Sequence, residues 1–176
     1  GIRVFALALP SRIAGLFGHA EPAGSCIAVN SLHPRERQRW TLAHEYGHFL
    51  TTRWTAEVTL LNARRSSSEA LADAFAACFL MPRGGLLARF QTLVRSRGMF
   101  TAGDLLQLAY QYQVSAEALA QRLESLDLLK AGWWSELVAR GLRVEEAKEQ
   151  LGLPARGADA EVVSVRTKFL AVEACL

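Results

Sequence analysis

His44 and His48 stand four residues apart, with Glu45 directly after the first, in the run Arg39-Trp40-Thr41-Leu42-Ala43-His44-Glu45-Tyr46-Gly47-His48-Phe49-Leu50. On an α-helix that spacing leaves two side chains about 40° apart around the axis and about one turn apart along it, so both imidazoles can reach one metal ion. A carboxylate beside the first histidine can take a proton from water near such an ion. That is the division of labour of the His-Glu-x-x-His pattern. Two of the chain's four histidines lie in this motif.

A catalytic zinc site of this kind takes a third protein ligand. Downstream lies Ser66-Ser67-Ser68-Glu69-Ala70-Leu71-Ala72-Asp73-Ala74-Phe75-Ala76-Ala77-Cys78-Phe79-Leu80-Met81-Pro82, a second helical stretch. Glu69 and Asp73, four apart, share one face of it. Glu69 is the expected third ligand. Asp73 is then placed to accept a hydrogen bond from the far ring nitrogen of a ligand histidine, fixing its tautomer. The alternative is structural: Ser66 and Glu69 also spell a capping box, with serine at the N-cap and glutamate at N3. The many alanines of this stretch favour close approach to the motif helix.

These two stretches resemble the ImmA/IrrE-type metallopeptidases, a family known for cleaving helix-turn-helix transcriptional repressors. Residues Arg39 to His48 are similar to that family's Arg-Phe-Thr-Leu-Ala-His-Glu-Leu-Gly-His, with Tyr46 in place of the usual leucine, and Glu69 to Pro82 carries its Phe-Ala-Ala and Leu-Met-Pro. Ile27-Ala28-Val29-Asn30 is similar to the strand which the family sets before its active-site helix. The resemblance spans roughly residues 1 to 126 and is strongest over the two motif helices. It implies an α+β fold with a zincin-like metallopeptidase core: a small N-terminal sheet, an active-site helix pair and a helical, helix-turn-helix-like C-terminal part. In it His44, His48 and Glu69 are metal ligands and Glu45 is the base. The ligand set suits zinc, and manganese or iron also fits, because affinity order alone does not settle metal use. The implied substrate is a protein, a transcriptional repressor whose cleavage relieves repression in a stress or mobile-element response. A reading from another class makes the chain a DNA-binding or partner-binding regulator with a structural or inactive metal site. Glu45 argues against it, since a structural site gains nothing from a base beside it.

Other elements must hold the motif in place. Residues 2 to 7, Arg12 to Gly18 and Ser25 to Asn30 are strand candidates, which predicts a small antiparallel or mixed sheet packed on the motif helix. By analogy with zincins, the outer edge of that sheet can hold an extended substrate by strand addition. His19 and His33 fall in loops near these strands and read as surface residues, with oxyanion stabilisation as the alternative. Pro34 suits the first turn of the motif helix, and Trp40, Ala43, Gly47 and Leu50 recur at helical spacing. Glycine inside a helix costs about 1 kcal/mol relative to alanine, so Gly47 predicts a close neighbour. Thr51 to Arg65 connects the two motif helices. Glu57 to Leu61 is a further strand candidate within it, and Arg53 and Trp54 either border the cleft or take a packing or surface role.

Pro82 closes the second helix, and Gly84-Gly85 predicts a loosened segment before an amphipathic run from Leu86 to Arg95. Beyond Thr101, two short helices separated at Val114-Ser115 have the look of a helix-turn-helix. The second carries Glu117 and Glu124 against a single Arg122, a poor set for phosphate or guanine contact. A structural or protein-binding role is therefore favoured over direct DNA binding. Tyr110 and Tyr112 read as core or surface residues. Trp133-Trp134 is an anchor for the tail, with short helices ending at Gly141 and Gly152, a hinge over 155–159 and a last helix over 161–176. The resulting division is a metallopeptidase core over 1–98, a helix-turn-helix-like region over 99–130 and a helical tail over 131–176.

Composition is that of an ordinary globular chain, with 51% hydrophobic and 21% charged residues in a length of 176. Seventeen of the twenty basic residues are arginine and the net charge is +3, with a pI near 9.0, which permits contact with nucleic acid or an acidic partner without requiring either. Three widely spaced cysteines, Cys26, Cys78 and Cys175, form neither a disulfide framework nor a Cys-x-x-Cys zinc site, and a reducing cytoplasmic compartment fits them. The apolar start, Gly1 to Pro10, is too short for a membrane span and lacks a basic leader. The chain begins without methionine and stops within a helical pattern, which predicts a piece of a longer protein.

Overall fold

A computed structural model of the chain describes residues 1–22, 24–52, 57–60 and 66–153. The hinge predicted over 155–159, the helix over 161–176, Arg53, Trp54 and Cys175 lie outside the described residues. The class is α+β. Two compact units share the chain, one built on Gly1–Ala72 and the other on Asp73–Pro154.

The first unit is a sheet with a helix laid across it. Strands β1 (Ile2–Leu7), β2 (Ile13–Ala20) and β3 (Gly24–Asn30) precede helix α1 (Arg35–Thr52), followed by β4 (Glu57–Leu60) and the start of α2 (Ser67–Leu80). Sheet order is β1-β3-β2-β4, so the three predicted strands and the fourth candidate join one mixed sheet. β1 runs parallel to β3, Ile2 opposite Ser25 and Leu7 opposite Asn30. β2 is antiparallel to both β3 and β4. The β2–β3 hairpin closes at Gly24, whose φ of +79° is a conformation that residues with a Cβ rarely adopt.

Phe17, Ile27 and Val29 form the buried heart of this unit, and Ile2, Leu42, Tyr46 and Phe49 pack against it. Phe17 and Phe49 meet edge to face at 6.2 Å, and Tyr46 stacks on Phe49 at 5.9 Å. Each fully buried side chain of this size contributes about 1.5–3 kcal/mol. The stripe that α1 gives to the sheet is thus Leu42, Tyr46 and Phe49. The set that recurs at helical spacing in the sequence, Trp40, Ala43, Gly47 and Leu50, is a different one, and its Leu50 stays 45% exposed. α1 carries apolar residues on both flanks of its histidines, so periodicity alone does not say which flank the sheet takes.

Asn30, 1% exposed, anchors the approach to α1. Its Nδ2 donates to the carbonyls of Leu9, Pro10 and Ile13 at 3.0, 3.2 and 2.9 Å, while its Oδ1 accepts from the backbone N–H groups of Leu9 and Leu32. One side chain therefore ties the β1–β2 loop to the turn that launches the motif helix. Pro34 precedes that helix, and its carbonyl accepts from Gln38 N at 2.9 Å. Gln38 Nε2 in turn donates to the carbonyls of Ser31 and His33.

The second unit is helical: the rest of α2, then α3 (Arg83–Arg97), α4 (Ala102–Tyr112), α5 (Ala116–Ser125), α6 (Trp133–Ala139) and α7 (Val144–Gln150). Gly84 and Gly85, predicted to loosen the chain, sit inside the first turn of α3 behind an N-cap at Pro82. First-turn N–H groups have no partner within their helix, so glycine disturbs less there. The break at Val114-Ser115 is present, with Gln113 left-handed at the end of α4 and Ser115 Oγ accepting from Ala118 N at the start of α5. Leu105, Leu106, Leu108, Leu119 and Leu123 are all buried. Trp133 stands 6.1 Å from the ring of Phe100, which stands 4.7 Å from Phe90, consistent with the anchoring expected of this tryptophan. Among the described residues, no single helix is long and apolar enough to cross a membrane.

Candidate metal centre

α1 carries His44, Glu45 and His48 into the interior of the first unit, with exposures of 4%, 0% and 0%. The same helix that spends Leu42, Tyr46 and Phe49 on the sheet holds its histidines one turn apart on an adjoining flank. Their ring centroids are 4.8 Å apart at 64°, and His44 Nε2 lies 3.1 Å from His48 Nε2.

The first turn of α2 supplies the third group. Ser66 Oγ accepts from Glu69 N at 3.2 Å, and its carbonyl accepts from Ala70 N at 3.0 Å, so the serine caps the helix as a capping box would have it. The carboxylate of Glu69 lies instead against the imidazoles: Oε2 is 3.3 Å from His44 Nε2 and Oε1 is 3.2 Å from His48 Nε2. Backbone capping and approach to the histidines, posed by the sequence as alternatives, coexist, because one uses the Glu69 N–H and the other its side chain.

These three side chains form the group among the described residues whose ligand atoms converge as a metal site requires. Ligand atoms about 2.0–2.1 Å from a tetrahedral ion stand about 3.3–3.4 Å apart. Here the two Nε2 atoms are 3.1 Å apart and each lies 3.2–3.3 Å from a different oxygen of Glu69, and one ligand atom from each residue falls within 4.8 Å of the other two. Two imidazole lone pairs and a carboxylate this close repel one another unless a proton or a cation lies among them. The chemistry of the set, two nitrogens and one carboxylate oxygen, fits a divalent metal ion such as zinc.

Glu45 and Thr41 of α1 lie close against Gly15 of the sheet. A Cβ built on Gly15 of β2 would stand 2.8 Å from Glu45 Oε1 and 2.4 Å from Thr41 Cγ2. The absent side chain at Gly15 therefore makes room for the carboxylate. Gly47, at which the sequence predicts a close neighbour, is buried in α1.

The other candidates take ordinary positions. Asp73 is half-buried on α2, one turn beyond Glu69. His19 pairs with Ser25 across β2 and β3, Nδ1 to Oγ 2.7 Å, and His33 Nε2 donates to the Ser11 carbonyl at 3.1 Å. Both are half-buried parts of the sheet and its loops. Cys26 and Cys78 are exposed free thiols. One contact is new: Ser68 Oγ lies 3.3 Å from Nδ1 of His48. The sequence did offer a signal for it, a hydroxyl directly before the candidate ligand Glu69, but a run of three serines before a helix reads first as a cap.

The family model of the IrrE N-terminal-like domain, Peptidase_M78, matches residues 1–124. The chain belongs to this family. The match bears out the resemblance carried by the two motif helices, and the IrrE N-terminal-like family is one of metallopeptidases. It runs from the start of the sheet through most of α5, and α6 and α7 lie beyond it. A search of curated proteins returned no match.

Proposed function

We propose that the chain is a zinc-dependent endopeptidase with a zincin-like core, in which His44, His48 and Glu69 hold the metal, Glu45 is the general base and the substrate is a helix-turn-helix transcriptional repressor. The observation that supports this most is the convergence of His44 Nε2, His48 Nε2 and the Glu69 carboxylate, with contacts of 3.1–3.3 Å, in a unit that also buries the motif glutamate. Family membership supplies the peptidase chemistry, and the ImmA/IrrE resemblance supplies the repressor.

When bound, the ion polarises the scissile carbonyl and lowers the pKa of water. The chain's own residues do the rest. Neutral His44 and His48 offer Nε2 lone pairs, and Glu69 offers one negative charge. Glu45 takes a proton from the attacking water onto its carboxylate and returns it to the leaving amine nitrogen, a role worth about 10²–10⁴-fold in rate. The buried position of Glu45, against Gly15 and Thr41, keeps bulk water from competing for that proton. Asp73 is assigned the support of a ligand histidine on its spacing from Glu69 alone. The edge strands β1 and β4 are the candidates for pairing with an extended substrate.

The alternative DNA-binding role of α4 and α5 rests on one basic side chain, Arg122, which makes an internal contact. Glu124 accepts from the N–H groups of Gly132 and Trp134, both at 3.0 Å, which caps α6, and Arg122 Nε donates to the Met81 carbonyl at 3.3 Å. These helices are read as a structural or partner-binding part, and the cell compartment as the cytoplasm. The test is incubation of the zinc-loaded protein with a panel of helix-turn-helix repressors, read by mass spectrometry. Cleavage by the parent and none by Glu45→Gln supports the proposal. Intact repressors throughout, alongside a salt-sensitive affinity for duplex DNA, would favour the regulator.

A further inference from the structure

We propose that Ser68 is a positioning residue for the metal site, acting through His48 to keep the lone pair of Nε2 turned toward His44 and Glu69. The inference rests on the reading of those three side chains as metal ligands.

A neutral imidazole carries one N–H and one lone pair, on different nitrogens. If Nε2 of His48 is to bind a cation, its proton must sit on Nδ1, and that N–H then needs an acceptor in a fully buried setting. Ser68 Oγ, 3.3 Å from Nδ1, is that acceptor. The hydroxyl keeps its own proton for another partner, so accepting from His48 leaves its donor capacity intact. On the other side of the same ring, Glu69 Oε1 lies 3.2 Å from Nε2. Two consecutive residues in the first turn of α2 thus hold one imidazole by both nitrogens. Ser66, by capping the same turn through Glu69 N, holds the pair in place.

The consequence is testable without peptidase activity. In the metal-free protein Glu69 draws the proton of His48 to Nε2 while Ser68 draws it to Nδ1, so removing the hydroxyl shifts the population toward the wrong tautomer for binding. Outer partners of ligand histidines commonly change metal affinity about 10- to 100-fold. Ser68→Ala is therefore expected to weaken zinc binding by about that factor, measured by competition with a chromophoric chelator, and Ser68→Thr, which keeps the hydroxyl, to restore it to within about 3-fold of the parent. ¹⁵N spectra of the metal-free proteins should show more Nε2–H form of His48 in Ser68→Ala than in the parent and Ser68→Thr. Ser67→Ala, one position away and exposed, is the control and should change neither readout.

Unchanged tautomer and unchanged zinc affinity in Ser68→Ala would overturn the role of Ser68 and leave the metal site standing. Equal loss in Ser68→Ala and Ser68→Thr would also overturn it, since a merely structural part would be damaged by either. A parent that binds no zinc would instead remove the metal reading, and the tautomer measurement would then decide, on its own, whether Ser68 sets the ring of His48.

Discussion

Among the described residues each unit buries one carboxylate completely, and the surroundings of the two differ. Asp104, in the helical unit, receives Arg97 Nη1 on one oxygen at 2.6 Å and both the N–H and the hydroxyl of Thr101 on the other, at 3.0 and 2.6 Å. It closes the capping box of α4 and ties that helix to the end of α3. Glu45, in the sheet unit, sits in the His-Glu-x-x-His motif against a glycine that leaves it room. Burial alone does not mark a functional acid. What separates the two is that neighbouring groups use Asp104 to hold the fold, whereas Glu45 stands in a motif whose two histidines meet the carboxylate of Glu69.

The sharpest way to break this contrast is to neutralise both acids. Glu45→Gln should lower the rate of repressor cleavage by about 10²–10⁴-fold, with zinc content unchanged and the unfolding midpoint in denaturant close to the parent's. A variant that loses its zinc would show Glu45 to be a ligand or a fold determinant instead. Asp104→Ala should do the reverse, destabilising the protein by about 2–3 kcal/mol in urea titrations through the lost cap and buried hydrogen bonds, with zinc stoichiometry unchanged. The ion pair adds little to that figure, because the Arg97 side chain is 55% exposed.

Two glycines extend the comparison. Gly15→Ala drives a Cβ to 2.4 Å from Thr41 Cγ2, 2.8 Å from Glu45 Oε1 and 3.1 Å from the Ala28 carbonyl. A loss of about 1–3 kcal/mol is expected from such overpacking, together with slower cleavage as the base is displaced. Thermal melts and single-turnover kinetics read the two effects. Gly103→Ala, in α4, meets nothing nearer than 3.7 Å and should raise stability by about 0.4–1 kcal/mol. Equal destabilisation at both sites would mean that the space beside Glu45 is not special.

Much of the site was legible because its residues follow local rules. His44, Glu45 and His48 obey helical spacing, and Glu69 opens the next helix behind a serine cap. The strands β1 to β3 are short, apolar and separated by proline and glycine, so their limits were readable to within a few residues. What escaped depends on packing between elements. Either apolar flank of α1 satisfies the period of a helix, and only the sheet beneath it selects Leu42, Tyr46 and Phe49. Glu124 counts in the sequence as a charge on a candidate recognition helix, yet its carboxylate is engaged in capping α6. Ser68 reads as one of three capping serines until the ring of His48 is set beside it.

The central claim is that His44, His48 and Glu69 hold one metal ion. Elemental analysis of the purified parent and of Glu69→Ala, after incubation with limiting zinc and removal of the excess, tests it most directly. One equivalent of zinc in the parent and little in the variant is the predicted result. No stoichiometric metal in the parent, or the same content in both proteins, would contradict it.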